Sequence, residues 1–168
     1  MPSAPRTSVS RAVFVAAALA AGLALAVAFA AEWWGGLVPC ALCLAERWPY
    51  RVAIALALLG LVLPAGLRRV ALVLVLLAGL GAVATAGVHV GVELGLWPSP
   101  LPECAAPRLG AGSIADRLRN MPAHPSKPCD DPVYPIDALP ISFAQANLLY
   151  ALAFTIGIAG ALTPRRRR

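Results

Sequence analysis

The chain has 168 residues, of which 60% are hydrophobic and 13% are charged, and its formal net charge is +6. Soluble domains are about 45–50% apolar and about 25% charged, so this chain has too few polar side chains to cover a water-soluble core. Intrinsic disorder is excluded too, because disordered chains are poor in apolar residues. The composition therefore predicts an integral membrane protein.

Four apolar stretches follow one another along the sequence, and each is long enough for a membrane-spanning helix of about 20 residues. They cover approximately residues 12–31, 49–67, 70–92 and 141–162. Because backbone in lipid must satisfy its own hydrogen bonds, each stretch is predicted to be an α-helix. The predicted fold is an all-α, four-transmembrane-helix bundle that forms a single membrane domain over residues 1–168.

The positive charges orient this bundle. Eight arginines lie on one side with no acidic residue among them. Arg6 and Arg11 precede the first span, Arg68 and Arg69 lie in the predicted turn between the second and third spans, and four more are at 165–168. The connections at 32–48 and 93–140 hold every Asp and Glu of the chain. Since Lys and Arg near span ends mark the cytoplasmic side, both termini are predicted to be cytoplasmic and both connections periplasmic. The basic balance indicates topology in a lipid bilayer and not nucleic-acid binding.

Two segments allow a second interpretation. The small-x-small sequence at 28–30 fits the cleavage site of a signal peptide, although the apolar run before it exceeds the roughly 7–15 residues of a signal core. Within the long periplasmic loop, residues 112–121 place Ile114, Leu118 and Met121 on one helical face. This predicts a short amphipathic helix on the outer membrane surface, with a solvated turn as the alternative.

All four cysteines fall in the predicted periplasmic loops, where disulfides persist. Cys40 and Cys43 form a C-x-x-C, a spacing used for reactive dithiols. A disulfide between them closes so short a loop that it adds little chain-entropy stability, which favours redox chemistry. For Cys104 and Cys129, a purely structural disulfide remains an alternative. A zinc site is disfavoured because structural zinc usually takes two closely spaced pairs, and no metal is predicted.

The residues after the C-x-x-C favour a reactive thiol. Arg47 lies one helical turn beyond Cys43, so a helical segment would bring both onto one face. Its charge and a helix N-terminus together predict a lowered pKa for Cys43. Pro49 would remove the hydrogen bond to Ala45 in a continuous helix. We therefore expect a break near Trp48, with Pro49 at the first position of the second span.

Several polar residues are predicted near the outer membrane boundary, where ionisable side chains usually mark function. Arg47 and His89 are the predicted binding residues, as donors to the carbonyl oxygens of a lipid-soluble ring. His89 alone could instead be a satisfied packing residue. Arg51 is expected to be a snorkelling anchor. Interhelical hydrogen bonding is an alternative to a functional role for two residues of the last span, Gln145 and Asn147.

The segment PCALCLAER at 39–47 resembles the signature of the disulfide bond formation protein B (DsbB) family. Three further features are similar: His89 near the end of the third span, Trp-Pro-Ser-Pro at 97–100 followed by Cys104, and Cys129 before the last span. The resemblance covers about residues 11–162 and is weakest at 105–128, where only the flanking cysteines align.

The resemblance implies an inner-membrane protein that oxidises a periplasmic, thioredoxin-like dithiol protein of the DsbA type. The implied electron acceptor is ubiquinone or menaquinone of the membrane quinone pool. The short loop helix corresponds to a helix that lies on the membrane in that family. A DsbA-type protein has a reduction potential of about −120 mV, so its reoxidation requires an acceptor as strong as a quinone pool fed by respiration.

The resemblance also assigns roles by position. Cys40 and Cys43 correspond to the quinone-coupled pair, and Cys43 to the cysteine that contacts the quinone. Cys104 and Cys129 correspond to the pair that exchanges with the soluble partner, with Cys104 as the attacked sulfur. The positions that match quinone-site residues are Arg47 and His89.

Three other functions remain to be distinguished. Proteins like vitamin K epoxide reductase share the chemistry, but their loop cysteines precede the C-x-x-C, whereas here they follow it. Membrane conduits that reduce external proteins usually carry their cysteines inside the spans. A non-enzymatic protein with two structural disulfides would carry no bound quinone after purification. The resting disulfide pattern stays open, because a rearranged Cys40–Cys129 pair is compatible with the sequence.

Overall fold

In the computed structural model, residues 9–104, 113, 115, 127–135 and 139–163 are described. The helices with defined bounds are α1 (Arg11–Trp33), α2 (Ala41–Ala45), α3 (Arg47–Val62), α4 (Ala65–Glu93), a 3-10 helix (Pro102–Cys104) and α5 (Phe143–Leu162). The four long helices confirm the predicted all-α four-helix fold. Among the described residues, α1, α4 and α5 are long and apolar enough to cross a membrane, and α3 has 16 residues. The predicted helix at 112–121 lies outside the described residues, apart from 113 and 115.

The boundary between the second and third spans differs from the prediction. Helix α3 ends at Val62 and not at residue 67, and Pro64 precedes the first residue of α4. A residue before proline is disfavoured in the α region, which explains the extended backbone of Leu63. Arg68 and Arg69 therefore belong to α4 and not to a turn. The Arg68 Nε–H donates to the Leu63 carbonyl over 3.2 Å and fastens the chain reversal.

The break before the second span lies at Glu46 and not near Trp48. Helix α2 ends at Ala45, where the Glu46 N–H still donates to the Leu42 carbonyl, and α3 begins at Arg47. Pro49 is consequently the third residue of α3 and not the first. The position is tolerated because the N–H groups of a first helical turn have no intrahelical partner.

The long helices form a ring in the order α1, α3, α4, α5, closed by a smaller contact between α5 and α1. The Tyr150 hydroxyl donates to the Ala20 carbonyl over 2.7 Å across this last contact. Small residues dominate the helix contacts, which lets the backbones approach closely in lipid. The buried core includes Ala17, Ala21, Ala53, Ala57, Ala71, Leu72, Val75, Ala82 and Ala151. Large apolar side chains such as Leu19, Leu58, Leu77 and Ile156 point outward, as a lipid-facing surface requires.

The α1–α3 contact depends on one close approach. Phe14 of α1 is fully buried, and its ring occupies the space beside Gly60 of α3. A Cβ added at Gly60 would overlap this ring, so glycine at 60 and phenylalanine at 14 are a matched pair.

One end of the bundle, where α4 ends and α5 begins, is closed by the chain that follows α4; this end is named the outer end after the predicted topology. The Trp97 indole N–H donates to the Val88 carbonyl over 3.2 Å, and its ring fills the space that a side chain at Gly91 would occupy. This folds the loop back over the end of α4 and leads into the 3-10 helix, which ends at Cys104.

The start of α5 is fixed by a capping box. The Ser142 hydroxyl accepts from the Gln145 N–H, and the Gln145 side chain accepts from the Ser142 N–H, each over 3.1 Å. Gln145 thus caps its own helix, and no interhelical hydrogen bond of its side chain is found among the described residues. The Ser142 hydroxyl also donates to Glu93 at the end of α4, so the two helices are tied together at the outer boundary.

The close approach of Phe14 to Gly60 predicts a specific destabilisation. We expect Gly60→Ala to lower the free energy of unfolding by about 1–3 kcal/mol, because the added methyl overpacks a filled contact. Phe14→Leu should partly restore stability in the double variant. Thermal unfolding in detergent measures both effects.

The matched control for this prediction is Gly157→Ala on α5, where nothing lies within 4 Å of the added methyl. The control accounts for the change in helix propensity alone. Equal stability of the Gly60→Ala and Gly157→Ala proteins would show that the α1–α3 approach is not constrained by Phe14.

Candidate active site

The structure brings the two cysteine pairs together at the outer end of the bundle. Cys104 and Cys129 form a disulfide, and Cys40 and Cys43 are free thiols. Cys40, Cys104 and Cys129 belong to one buried cluster, completed by Leu42 and Val92. The loop disulfide therefore lies against the first cysteine of the C-x-x-C, although the loop is distant from it in sequence.

The C-x-x-C spacing places Cys40 at the N-terminal cap of α2. Its sulfur accepts a hydrogen bond from the Cys43 backbone N–H over 3.2 Å, as a capping side chain does. The two sulfurs lie 2.8 Å apart. This local geometry presents the two thiols side by side, in position for disulfide formation.

The thiolate is favoured at Cys40 and not at Cys43, in contrast to the prediction. The hydrogen bond with the Cys43 side chain lowers the pKa of Cys40, which outweighs the opposite effect of burial. The same hydrogen bond, together with burial, raises the pKa of Cys43. The expectation of a lowered pKa at Cys43 is wrong for this reduced pair because the first cysteine, as the cap, receives the donors.

His89 connects the dithiol to a buried carboxylate. Its Nε2 lies 3.5 Å from the Cys40 sulfur, and its Nδ1 lies 2.7 Å from an oxygen of Glu46. An ionised carboxylate only accepts hydrogen bonds, so Nδ1 donates to it and Nε2 is the ring nitrogen that exchanges a proton with the Cys40 sulfur. His89 is therefore part of a polar network in an otherwise apolar helix, and it is not a simple packing residue.

The network continues into the last span. The second oxygen of Glu46 accepts a hydrogen bond from the Asn147 amide over 2.7 Å. The Tyr50 hydroxyl donates to the Asn147 carbonyl oxygen over 2.9 Å. Asn147 thus forms the interhelical hydrogen bonds considered for it from the sequence, and Glu46 connects three segments of the chain.

Arg47 is directed toward α1. It forms a salt bridge with Glu32, and its guanidinium lies over the Phe29 ring, 4.9 Å from the ring centroid. Its buried Nε has no hydrogen-bond partner within the described part of the chain. The spacing of Cys43 and Arg47 had suggested that both lie on one face of a helix. They do not share a continuous helix, because α2 ends at Ala45 and α3 begins at Arg47.

A cavity of about 370 Å³ opens beside these residues. Its walls are mostly apolar side chains of α1, α5 and residues 37–39, with Val133 and Pro135 from the long loop. Its polar end is lined by Cys43, Glu46, Arg47, Tyr50, His89 and Asn147. The second cysteine of the C-x-x-C thus faces the cavity, while the first lies in the cluster with the loop disulfide.

Sequence reasoning missed two carboxylates of this site. Glu32 and Glu46 were counted only among the acidic residues of the two predicted periplasmic connections. Glu32 ends a span that is otherwise uncharged, and Glu46 directly precedes Arg47, so their positions were available as signals. Their partners were not, because they come from other helices.

A family model described as "Disulfide bond formation protein DsbB" matches residues 10–161. The chain belongs to the DsbB family. The DsbB resemblance seen in the sequence is thereby confirmed, and it establishes a multi-pass membrane protein of disulfide bond formation with thiol oxidoreductase activity.

A relative also matches most of the chain, as the DsbB family model does. The uncharacterized protein RP370 of Rickettsia prowazekii (strain Madrid E) is 30% identical over 136 residues, which cover 80% of this chain and 77% of the relative. No solved structure matches the chain significantly.

The shared hydrogen bond predicts how Cys40 titrates. In a Cys104→Ser/Cys129→Ser protein, Cys43→Ala should give Cys40 a higher pKa than Cys43→Ser, because only serine retains a side-chain donor. The thiolate fraction at a given pH below that pKa is then smaller in the alanine variant. Thiolate absorbance or alkylation rate against pH measures the difference.

The backbone N–H of residue 43 is retained in both variants and serves as the internal control. Identical titration of Cys40 in the two proteins would mean that the side chain at 43 does not stabilise the thiolate.

Proposed function

We propose that this chain is a quinone-dependent protein-disulfide oxidoreductase of the bacterial inner membrane. It reoxidises a periplasmic dithiol oxidase of the DsbA type and transfers the electrons to ubiquinone or menaquinone. The observation that carries the proposal is the position of the Cys40–Cys43 dithiol between a buried loop disulfide and an apolar cavity with a polar end.

The residues around the cavity fit a quinone. Its apolar walls suit a lipid-soluble ring and tail. The Nε–H of Arg47, which has no partner among the described residues, suits a ring carbonyl oxygen. His89 and Asn147 add polar groups at the same end. A bound quinone supplies the two-electron, two-proton acceptor that the formation of a disulfide requires.

Side chains of the protein would accept the protons that this reaction releases. Closing the Cys40–Cys43 disulfide releases two electrons and two thiol protons. Nε2 of His89 is positioned to take the proton of Cys40, and the Glu46 carboxylate on Nδ1 stabilises the imidazolium that results. Arg47 would hold a carbonyl oxygen at the cavity end by its Nε–H.

The loop disulfide would connect this pair to the soluble partner. The partner's dithiol reduces Cys104–Cys129 and leaves as a disulfide. The two loop thiols then reduce the Cys40–Cys43 disulfide and become a disulfide again. An oxidised loop pair and a reduced C-x-x-C, as found here, correspond to the state after this second exchange.

Attack by a soluble partner requires the loop disulfide to become accessible. Cys104 and Cys129 are 3% and 1% exposed, so the segment that carries them has to be displaced from Cys40 first. The loop pair could then react with the partner only when it is displaced, and with Cys40–Cys43 only when it has returned, so the two exchanges would occur one after the other.

The proposal includes the topology expected from the arginines. Both termini would be cytoplasmic and all four cysteines periplasmic, where the quinone cavity meets the outer leaflet. A reducing membrane conduit is less well supported because the cysteines lie outside the long helices. A protein like vitamin K epoxide reductase is less well supported because the loop pair follows the C-x-x-C in sequence.

A division of labour between the two pairs tests the proposal. In membranes that contain quinone, Cys104→Ser should abolish oxidation of a reduced DsbA-type protein. It should leave Cys40–Cys43 able to be reoxidised by quinone after chemical reduction. Cys43→Ser should block quinone reduction even with a chemical reductant. Quinone absorbance and the thiol state of the partner are followed separately.

The wild-type chain in quinone-free vesicles is the control for electron transfer to other acceptors. The same partial defect in both variants would contradict the relay order. Rapid oxidation of the partner without quinone would contradict quinone dependence.

Arg47 is expected to determine quinone affinity. Affinity should fall in the order wild type, Arg47→Lys, Arg47→Ala, because lysine keeps the charge but loses the planar set of donors. Each lost charge-assisted hydrogen bond corresponds to about 1.5–3 kcal/mol, or roughly ten- to a hundredfold in apparent KM for quinone. Steady-state kinetics with each substrate varied separately provide the measurement.

Two further proteins control for charge and for the broken salt bridge. Arg51→Ala removes an exposed arginine that lies over Trp48 and should leave the quinone KM unchanged. Arg47→Ala/Glu32→Gln removes the carboxylate that the single variant leaves unpaired. An unchanged KM and turnover in Arg47→Ala would show that Arg47 is an interfacial anchor only.

A further inference from the structure

We propose that the reduced Cys40–Cys43 dithiol and His89 form a binding site for zinc. Both sulfurs and a ring nitrogen lie within 4.8 Å of one another. Two thiolates and an imidazole are a ligand set that zinc takes in proteins, with the fourth position left open. The site requires only the reduced dithiol, so it does not depend on quinone coupling.

The distances need little adjustment to accept the ion. Zinc bonds of about 2.3 Å to sulfur and about 2.0 Å to nitrogen place neighbouring tetrahedral ligands roughly 3.5–3.8 Å apart. Nε2 of His89 and the Cys40 sulfur are already 3.5 Å apart. The two sulfurs, at 2.8 Å, would have to separate by roughly 1 Å. The turn of chain between them is a short, partly exposed helix.

Glu46 prepares His89 for this role. It accepts a hydrogen bond from Nδ1–H over 2.7 Å, so the neutral ring has its lone pair on Nε2, which faces the Cys40 sulfur. A carboxylate on the far nitrogen of a metal-binding histidine orients the ring and raises its basicity. The Asn147 amide on the second oxygen holds this carboxylate in place.

The charge of the complex suits its surroundings. Two thiolates offset the charge of Zn²⁺ and the imidazole is neutral, so the filled site adds no net charge to a buried, largely apolar region. Binding releases the two thiol protons and changes no oxidation state. While zinc is bound, neither sulfur is available to form a disulfide, so zinc would hold the enzyme in its reduced state.

The spacing of the cysteines did not predict this zinc site. A zinc site had been judged by whether two closely spaced cysteine pairs were present, and the loop pair does not meet that condition. The third ligand comes instead from α4, with Cys104 and Cys129 held in their own disulfide. Because Cys43 and His89 both line the cavity, the open fourth position is on the cavity side.

The test uses the full chain in detergent, in a Cys104→Ser/Cys129→Ser background that retains only Cys40 and Cys43. The reduced protein is titrated with Co²⁺ without oxygen, and thiolate-to-cobalt charge-transfer absorption is recorded. We expect one Co²⁺ per chain, displaced by Zn²⁺, and no absorption after the pair is oxidised. Absence of this absorption in the reduced protein would overturn the proposal.

Three variants test whether zinc binding requires His89 and Glu46 in addition to the two thiols. His89→Gln removes a direct ligand and should weaken zinc binding about a hundredfold or more. Glu46→Gln should weaken it roughly ten- to a hundredfold. His124→Gln, at the other histidine of the chain, is the matched control and should have no effect. Equal affinity of the His89→Gln and His124→Gln proteins would overturn the proposal.

Two further measurements complete the test. A Cys40→Ser/Cys43→Ser protein, with only the loop thiols after reduction, should bind Co²⁺ far more weakly, and equal binding would contradict the site. Paramagnetically shifted imidazole resonances in the Co²⁺ protein report histidine coordination directly. Their absence would contradict a ligand role for His89 even if the His89→Gln protein failed to fold.

Discussion

The outer end of this bundle depends on one buried carboxylate. Glu46 is 7% exposed, and its two oxygens bind His89 of α4 and Asn147 of α5. A charge in such surroundings is costly unless it is paired and hydrogen-bonded. Because Glu46 also occupies the break between α2 and α3, satisfying it fixes the C-x-x-C against two other helices at once.

The two thiols of the C-x-x-C have different surroundings. Cys40 caps α2, takes the hydrogen bonds of the turn and lies in the cluster with the loop disulfide. Cys43 is one helical turn further on and lines the apolar cavity. The C-x-x-C spacing therefore places Cys40 inside the buried cluster and Cys43 at its edge, where Cys43 packs against the cluster and also lines the cavity. A relay that accepts electrons from a protein and delivers them to a lipid-soluble acceptor needs this arrangement.

Hydropathy predicted the four long helices because lipid requires long apolar segments whatever their partners are. It placed the boundary at Arg68 and Arg69 incorrectly, since charge was weighed above the local effect of Pro64 on Leu63. The cysteine pairs were recognisable from spacing and resemblance. The pKa order of Cys40 and Cys43 was not, because it depends on which sulfur caps the turn. The partners of Glu46 lie on α4 and α5, and a single sequence contains no signal that joins them.

The acidic residues at this end also change how Arg47 acts. Its charge had been expected to favour a thiolate at Cys43 directly. In the structure Glu32 pairs with it, so much of that charge is already compensated. What remains is the buried Nε–H, which has no partner within the described residues and belongs to a side chain lining the cavity. In the proposed quinone site, Arg47 would therefore act as a fixed, directional hydrogen-bond donor more than as a general positive potential. Phe29 beneath the guanidinium and Glu32 beside it hold that donor in place.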